Sequence, residues 1–257
     1  MRPAAHRTFL ANGIFGGTLL VDLISTVKWA VYPYLVRFAP RLAIAIHEPE
    51  ATGAYWRAIR EGMLIVDGGA NRGGYTMLAS KRAGPSGRIY AFEPEPENFK
   101  RLSRRLSRLH NVVPVQQALG RSSGEARLNL DRFHARHSLT RDGGDGRSVA
   151  VSVISLDDFV REHSLPGLDL VKLDIEGAEL EAIAGMADVL TAARRPVVLC
   201  ELHPPLTPEQ FRDALAVHGY HSELLDAQYT GSAHDVPVHL LAVPSKGVML
   251  SGAGPNP

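Results

Sequence analysis

The chain has 257 residues, 45% of them hydrophobic, and a formal net charge of +1. This length is enough for one large domain with a full hydrophobic core, or for a domain with an appendage. The nearly neutral charge disfavours a dedicated nucleic-acid binder. The single cysteine, Cys200, excludes an internal disulfide framework and suits a reducing compartment, so we expect a cytoplasmic protein.

The first sixty residues contain an apolar stretch, Ile14–Val36, that could be read as a membrane span. Asp22 and Lys28 interrupt it, and each charge at a bilayer centre costs about 2.5–3.5 kcal/mol. A helical pattern instead places five apolar residues on one face: Leu20, Leu23, Ile24, Val27 and Val31. We therefore predict an N-terminal helical extension, residues 1–60, that packs on the main domain (61–257) or on a partner. Peripheral membrane contact is an alternative.

Strands and helices alternate along the rest of the chain. This alternation predicts an α/β fold with a doubly wound, mostly parallel, Rossmann-like sheet and an antiparallel edge formed by the last two strands. The predicted strands are Met63–Asp67, Arg88–Phe92, Val112–Gln116, Leu168–Leu173, Pro196–Cys200, His221–Leu225 and His239–Val243. The predicted helices are Tyr75–Ala83, Glu97–His110, Ala178–Leu190 and Pro208–His218.

One insertion, at about residues 124–154, interrupts the alternation. Ala126–Leu130 and Ser148–Ile154 are typical of a hairpin, and its long polar tip contains His134 and His137. Long polar loops in compact domains are usually functional or disordered. The tip is therefore either a lid over a substrate or a plain loop, and the sequence leaves both interpretations open.

The most informative stretch follows the first predicted strand, where an apolar run ends in Asp67 and a glycine-rich turn follows with Gly69, Asn71 and Gly73. A dinucleotide site has the spacing G-x-G-x-x-G, which brings backbone and a helix N-terminus to a pyrophosphate. Here an acid stands at the turn, which suits a cationic ligand with an amino-acid tail. We predict S-adenosylmethionine, with Asp67 and Gly69 at its methionine end. Replacing Gly69 by valine should then block the ligand and leave the fold largely intact.

A second acid, Glu93, ends the second predicted strand, and Pro94 stops that strand. In nucleoside-binding α/β sheets, a carboxylate at this position accepts hydrogen bonds from the ribose hydroxyls. We therefore predict that Glu93 binds the ribose and that Asn98 closes that side of the site.

Four sequence blocks resemble the FkbM-type methyltransferases, which belong to the class I methyltransferases that use S-adenosylmethionine. The blocks are Val66–Gly73, Ala91–Pro94, Ser155–Asp158 and Lys172–Glu179, and the resemblance covers about residues 63–203. Arg72 and Gly74 depart from the family, which usually has an apolar and an aromatic residue there. The resemblance implies that Gln117 and Ala118, after the third strand, contact the adenine. It also implies methylation of a hydroxyl on a sugar or a secondary metabolite such as a polyketide.

Asp174 and His203 follow the fourth and fifth predicted strands, beside the expected methyl group. We predict that they orient and deprotonate the acceptor hydroxyl, because a histidine with its ordinary pKa near 6.5 accepts a proton at neutral pH. Asp174 and Glu201, with His203, also occupy the positions that hold Mg²⁺ in catechol-type methyltransferases. The family resemblance does not require a metal, so we expect a metal-free site.

Two other functions stay open at this point. A nicotinamide-dependent oxidoreductase is disfavoured by the glycine spacing and by the lack of an evident Ser/Tyr/Lys catalytic set. A non-catalytic scaffold is disfavoured because the cofactor positions expected on the first two strands are filled. The expected partner is a small hydroxylated acceptor and not a nucleic acid, since Asp174–Gly177 departs from the Asn/Asp-Pro-Pro-Tyr/Phe motif of base methyltransferases.

Overall fold

A computed structural model describes residues 27–130, 147–226 and 237–245. The strands of these residues are β1 (Leu64–Gly68), β2 (Arg88–Phe92), β3 (Val112–Val115), β4 (Ala118–Leu119), β5 (Gly124–Asn129), β6 (Ser148–Ile154), β7 (Leu170–Leu173), β8 (Val197–Leu202), β9 (Tyr220–Leu224) and β10 (Val238–Pro244). The helices are α1 (27–38), α2 (Pro40–Ala45), α3 (Pro49–Ala58), α4 (Gly74–Ala83), α5 (Pro96–Leu106), α6 (Leu156–Glu162), α7 (Glu179–Ala184), α8 (Ala187–Thr191) and α9 (Pro208–Ala216).

The central sheet has seven strands in the order β3-β2-β1-β7-β8-β10-β9. The pairs among β1, β2, β3, β7 and β8 are parallel, whereas β10 runs antiparallel to both β8 and β9. The predicted α/β, mostly parallel sheet with an antiparallel final pair is therefore confirmed. Because parallel strands end at the same edge of a sheet, the turns after β1, β2, β7 and β8 lie together, next to the start of β10.

The predicted hairpin is also confirmed, since β5 and β6 pair antiparallel along their whole length. The sequence did not predict β4, which pairs with β6 to complete a three-stranded sheet. It also did not predict α6, whose first turn is capped by the Ser155 hydroxyl accepting a hydrogen bond from the Asp158 backbone. Residues 131–146 of the hairpin tip, with His134 and His137, lie outside the described residues, so the lid stays a prediction.

The single helix predicted for Ala178–Leu190 is wrong, because the chain forms α7 and α8 with a break at Gly185. A Cβ atom at Gly185 would stand 2.1 Å from the backbone oxygen of Gly120. The break therefore lies where the chain touches the backbone that follows β4, and only glycine allows this approach.

The described N-terminal helices pack on the sheet domain. Tyr32 and Val36 of α1 share a buried apolar cluster with Met77 and Leu78 of α4, and Tyr55 of α3 shares another with Ile65 of β1. The division of the chain at residue 60 stays a prediction, but residues on both sides of it contribute to these clusters.

The predicted packing face of the first helix is wrong in its described part, because Val27 and Val31 are exposed whereas Tyr32 and Val36 are buried. Leu20, Leu23 and Ile24 lie outside the described residues. Further apolar side chains of this region, Tyr34 and Phe38, are also exposed. None of the helices formed by residues 27–130, 147–226 and 237–245 has the length and apolar character that crossing a bilayer requires.

Candidate active site

The turn after β1 has the unusual backbone that the glycine-rich sequence predicted. Gly69, Asn71 and Gly73 have positive φ angles of 74°, 44° and 78°. A Cβ atom at Gly69 would stand 1.7 Å from the backbone oxygen of Asp174, so the turn lies directly against the end of β7. The expectation that valine at Gly69 leaves the fold largely intact is therefore wrong, because the added side chain would collide with protein backbone.

Gly74, which departs from the family pattern, begins α4 beside the N-terminal helices. A Cβ atom at this position would stand 2.8 Å from His47 Nε2 and 3.1 Å from the ring of Trp29. The absence of a side chain at Gly74 thus lets the segment before the domain contact the turn.

Glu93 is buried, and its carboxylate ties the end of β2 to the turn. Its Oε2 accepts a hydrogen bond of 2.9 Å from the Asn71 backbone, and its Oε1 accepts one of 3.1 Å from the Glu95 backbone. The Asn98 side chain also hydrogen-bonds Glu93. The structure thus brings together three predicted cofactor residues: Asn71, Glu93 and Asn98. It adds Glu95, which the sequence analysis missed and which caps α5 by accepting a 2.6 Å hydrogen bond from the Asn98 backbone.

Asp67 is fully buried beneath the turn and accepts a 2.5 Å hydrogen bond from the Thr76 hydroxyl. Lys172 of β7 lies with its Nζ 3.5 Å from Asp67 Oδ1 and 3.0 Å from Asp174 Oδ2. Burial alone would lower the pKa of Lys172, but the charges of Asp174 and Asp67 raise it above its usual range. Lys172 therefore links the glycine turn to the end of β7. The direct contact predicted between Asp67 and the cofactor stays a prediction.

Gln117 and Ala118 lie beyond β3, at the start of the small sheet. The Gln117 side chain donates a 3.1 Å hydrogen bond to the Ser152 hydroxyl. Ala118 is buried and pairs with Val153 of β6. Their predicted contact with adenine stays a prediction.

His203 follows β8 and is surrounded by carboxylates. Its Nδ1 lies 3.0 Å from Glu179 Oε1, and its Nε2 lies 3.7 Å from Asp174 Oδ1 and 3.5 Å from Glu176 Oε2. Burial alone would lower the pKa of His203, but the hydrogen bond with Glu179 and the two nearby carboxylates raise it to about 9. The structure therefore places the two predicted reacting residues together. The prediction that His203 has an ordinary pKa near 6.5 is wrong, because the surrounding carboxylates favour its protonated form at neutral pH.

A second polar group, missed from the sequence, adjoins the first through Glu201. Glu201 Oε1 lies 3.7 Å from His203 Nε2, and Glu201 Oε2 lies 3.4 Å from His239 Nε2. Glu48, from the segment before α3, has its Oε2 3.7 Å from the same His239 nitrogen and accepts a 2.8 Å hydrogen bond from the Tyr75 hydroxyl. The only local sign of this group is the pair His47-Glu48 before a helix that begins with proline.

Both histidines, His203 and His239, have a pKa above that of free imidazole. Burial alone would lower the pKa of His239, but the carboxylates of Glu201, Glu48 and Asp226 raise it to about 10. The pKa of Glu48 is lowered to about 2, because His239, His47 and the Tyr75 hydroxyl outweigh the effect of burial. The edge of β7, β8 and β10 thus carries an acidic cluster whose two histidines, His203 and His239, have a raised pKa.

A mostly parallel seven-stranded sheet, with a glycine turn after its first strand and a buried carboxylate at the end of the second, defines the class I fold of S-adenosylmethionine-dependent methyltransferases. Within that class, the chain belongs to the FkbM methyltransferase domain family, whose model matches residues 67–227. The resemblance drawn from the four sequence blocks is therefore confirmed.

Two relatives and a solved structure are similar to this chain. The chain is 30% identical over 156 residues to the hexuronic acid methyltransferase AglP of Haloferax volcanii, covering 60% of this chain and 61% of AglP. It is 28% identical over 176 residues to the 31-O-demethyl-FK506 methyltransferase FkbM of Streptomyces tacrolimicus, covering 56% and 67%. A crystal structure of a methyltransferase FkbM from Methylobacillus flagellatus is similar at 15% identity and a TM-score of 0.49, covering 87% of this chain and 60% of that one. The chain thus spans about three fifths of the length of AglP.

Proposed function

We propose that the protein transfers a methyl group from S-adenosylmethionine to a hydroxyl oxygen of a sugar or a secondary metabolite. The observation that supports S-adenosylmethionine as the cofactor is the position of the Glu93 carboxylate, which accepts a hydrogen bond from the Asn71 backbone in the glycine turn. The oxygen acceptor is supported by relatives whose names specify a hexuronic acid and the 31-oxygen of a secondary metabolite. Membership of the FkbM family favours this function over an oxidoreductase.

The cofactor half of the site comprises the turn, the end of β2 and the start of α5. We propose that the ribose hydroxyls donate to Glu93, with Asn98 beside it, and that the methionine end lies along Gly69, Asn71 and Gly73. The contacts of Glu93 with Asn71 and Asn98 support this arrangement, because they bring the end of β2, the turn and α5 together. We further propose that Asp67 positions the turn through Thr76 and Lys172, and that Gln117 and Ala118 border the adenine.

Replacing Glu93 by alanine is expected to weaken the binding of S-adenosylmethionine by about tenfold to several hundredfold. Each hydrogen bond between a carboxylate and a ribose hydroxyl contributes about 1.5–3 kcal/mol, and 1.4 kcal/mol corresponds to tenfold in affinity. The dissociation constant can be measured by calorimetry, for the cofactor and for its demethylated product. Glu97→Ala is the matched control, because this exposed acid begins the same helix, α5, and pairs only with Lys100 among its described salt bridges. An unchanged dissociation constant in Glu93→Ala would refute the ribose assignment.

Cofactor affinity is also expected to fall below about pH 7. In the ligand-free protein, burial raises the pKa of Glu93 to about 7, although hydrogen bonds from Glu95 and Asn71 lower it. Ribose hydroxyls bind the ionised carboxylate, so a proton must leave before binding at lower pH. The affinity should therefore drop by about tenfold per pH unit below the pKa and level off above it. Calorimetry across this range should show the slope in the native protein and its loss in Glu93→Gln.

The acceptor half is the acidic cluster at the ends of β7 and β8. We propose that Asp174 accepts a hydrogen bond from the acceptor hydroxyl and takes up its proton as the methyl group leaves the sulfonium, and that protonated His203 helps to orient the acceptor. Asp174 is suited to this contact because its side chain is 27% exposed, whereas His203 is 6% exposed and held by Glu179. Methyl transfer is an in-line displacement, so such orienting contacts are a main part of the catalysis that the protein supplies.

We propose a cytoplasmic location, which is supported by the buried, unpaired Cys200. Contact of the N-terminal helix with a membrane surface or a partner also stays a proposal. Its support is the row of exposed apolar side chains that includes Tyr34 and Phe38.

A further inference from the structure

We propose that Glu48, Glu201 and His239, at the outer side of the acidic cluster, form a binding site for one divalent transition-metal ion. This inference goes beyond the proposed methyl transfer, because metal binding can be measured without cofactor or acceptor. The three residues come from the start of α3, the end of β8 and the start of β10. The strand register brings two of them together, since His239 pairs directly with Glu201.

The spacing of the three side chains suits ligands of one ion. His239 Nε2 lies 3.4 Å from Glu201 Oε2 and 3.7 Å from Glu48 Oε2, and the three ligand atoms all lie within 4.8 Å of one another. These separations exceed the usual N–H···O distance of about 2.7–3.2 Å. Neighbouring ligands around an ion bound at about 2.0–2.2 Å stand roughly 3–3.5 Å apart, so the 3.4 Å pair fits this spacing and the 3.7 Å pair would close by a few tenths of an ångström.

His239 supplies an independent indication that a ligand belongs in this position. The residue is 9% exposed, and its buried Nε2 makes no hydrogen bond of normal geometry with the part of the chain that the structure describes. This nitrogen is directed at both Glu48 and Glu201. A buried polar atom without a hydrogen bond is costly, so native proteins usually provide it with a partner. A metal ion between the two carboxylates would be that partner, and it would replace the proton on Nε2, which is released to solvent when the metal binds.

The surroundings of the three residues resemble the outer ligands of metal sites. The second nitrogen of His239, Nδ1, lies 3.3 Å from Asp226 Oδ1, as in the carboxylate–histidine–metal arrangement that fixes an imidazole ring. The Tyr75 hydroxyl donates to Glu48 and orients its carboxylate. Glu48 itself has a positive φ of 47°, a backbone conformation that is costly outside glycine and recurs at functional sites.

The ligand set indicates the class of metal. One imidazole and two carboxylates suit Zn²⁺, Co²⁺ or Mn²⁺, whereas Mg²⁺ prefers oxygen ligands alone. Three protein ligands leave coordination positions open, and the Glu48 side chain is 38% exposed, which provides an entry from solvent. Because Glu201 also contacts His203, the ion would lie beside the proposed acceptor position. A cation there can bind an acceptor oxygen and lower the pKa of its hydroxyl.

The test is a titration of the metal-free full-length protein with CoCl₂, followed by absorption spectroscopy and calorimetry, with ZnCl₂ as competitor and MgCl₂ as comparison. We expect one equivalent of Co²⁺ to bind, Zn²⁺ to displace it and Mg²⁺ to bind more weakly. His239→Ala and Glu48→Gln should each weaken Co²⁺ binding at least about tenfold, as expected for the loss of one ligand. His221→Ala and Glu223→Gln are the controls, since both residues are exposed on the neighbouring strand β9. Both control variants should bind Co²⁺ as the native protein does.

The metal-binding results test the proposed metal site independently of the proposed methyl transfer. Folding of every variant is checked by circular dichroism, and Co²⁺ should raise the melting temperature of the native protein but not that of folded Glu48→Gln. Failure of the native protein to bind Co²⁺ or Zn²⁺, tighter binding of Mg²⁺, or unchanged affinity in both ligand variants would overturn the proposal. Failure to bind S-adenosylmethionine would overturn the proposed function and leave the metal result standing.

Discussion

Replacing Gly69 by valine is expected to abolish most folded protein, and not only cofactor binding. The first added carbon would stand 1.7 Å from the Asp174 backbone oxygen, and φ at this position is 74°. Backbone cannot move aside as a flexible side chain can, so we expect a loss of more than about 4 kcal/mol. That is a large part of the roughly 5–15 kcal/mol by which native proteins are stable. Urea unfolding followed by circular dichroism measures the loss.

Gly62→Val is the matched control for this substitution. Gly62 has a similar φ of 79°, but among the described residues a Cβ atom there would meet only the Ser86 hydroxyl, at 3.6 Å. The control therefore shares the backbone strain and lacks the collision, and we expect it to be clearly more stable than Gly69→Val. Equal stability of the two variants would show that the contact between the turn and β7 is not as close as described.

Asp174→Asn is expected to lower methyl transfer by about 10²–10⁴-fold while leaving the affinity for S-adenosylmethionine within about threefold. A fall in rate of this size is typical when an enzyme loses a positioned group that takes part in proton transfer or orients the reacting hydroxyl. Asparagine keeps the shape of the side chain and an oxygen for Lys172, so the link between β7 and the turn should persist. Transfer of a labelled methyl group to a panel of hexuronic acids and hydroxylated polyketides measures the rate.

Asp213→Asn, an exposed acid on α9, is the control for Asp174→Asn and should keep the full rate. Equal rates in the two variants would remove Asp174 from the reacting centre. If the native protein binds the cofactor tightly but methylates no hydroxylated acceptor, the non-catalytic scaffold becomes the better interpretation.

The cofactor half of the site could be predicted from the sequence because its parts are local. A strand, a glycine turn and a helix follow one another between Leu64 and Ala83, and Glu93 comes at the end of the next strand. The parallel pairing of β1 and β2 then brings Glu93 to the turn without further information. For this reason the positions of Asn71, Glu93 and Asn98 agree with what the motif and its spacing predict.

The acceptor half could be predicted only in part, because its properties depend on contacts distant in the chain. Asp174 and His203 were located by the strand ends, but the charge of His203 depends on three carboxylates around it. Glu48 and His239 lie almost two hundred positions apart and meet through their side chains. His239 reaches Glu201 through an antiparallel register that no local pattern specifies. The break at Gly185 was likewise missed, because it reflects a contact with Gly120 and not a weak helical pattern.

Glu48 and His239 lie in parts of the chain that are separate from the residues proposed to bind the methyl donor. Both residues lie outside the family-matched range 67–227, whereas the glycine turn, Glu93 and Asp174 lie within it. In the proposed function the matched range holds the methyl donor, and Glu48 and His239 from the flanking segments lie beside the proposed acceptor residues. Changes confined to those flanks could alter which acceptor is methylated while the donor site stays the same.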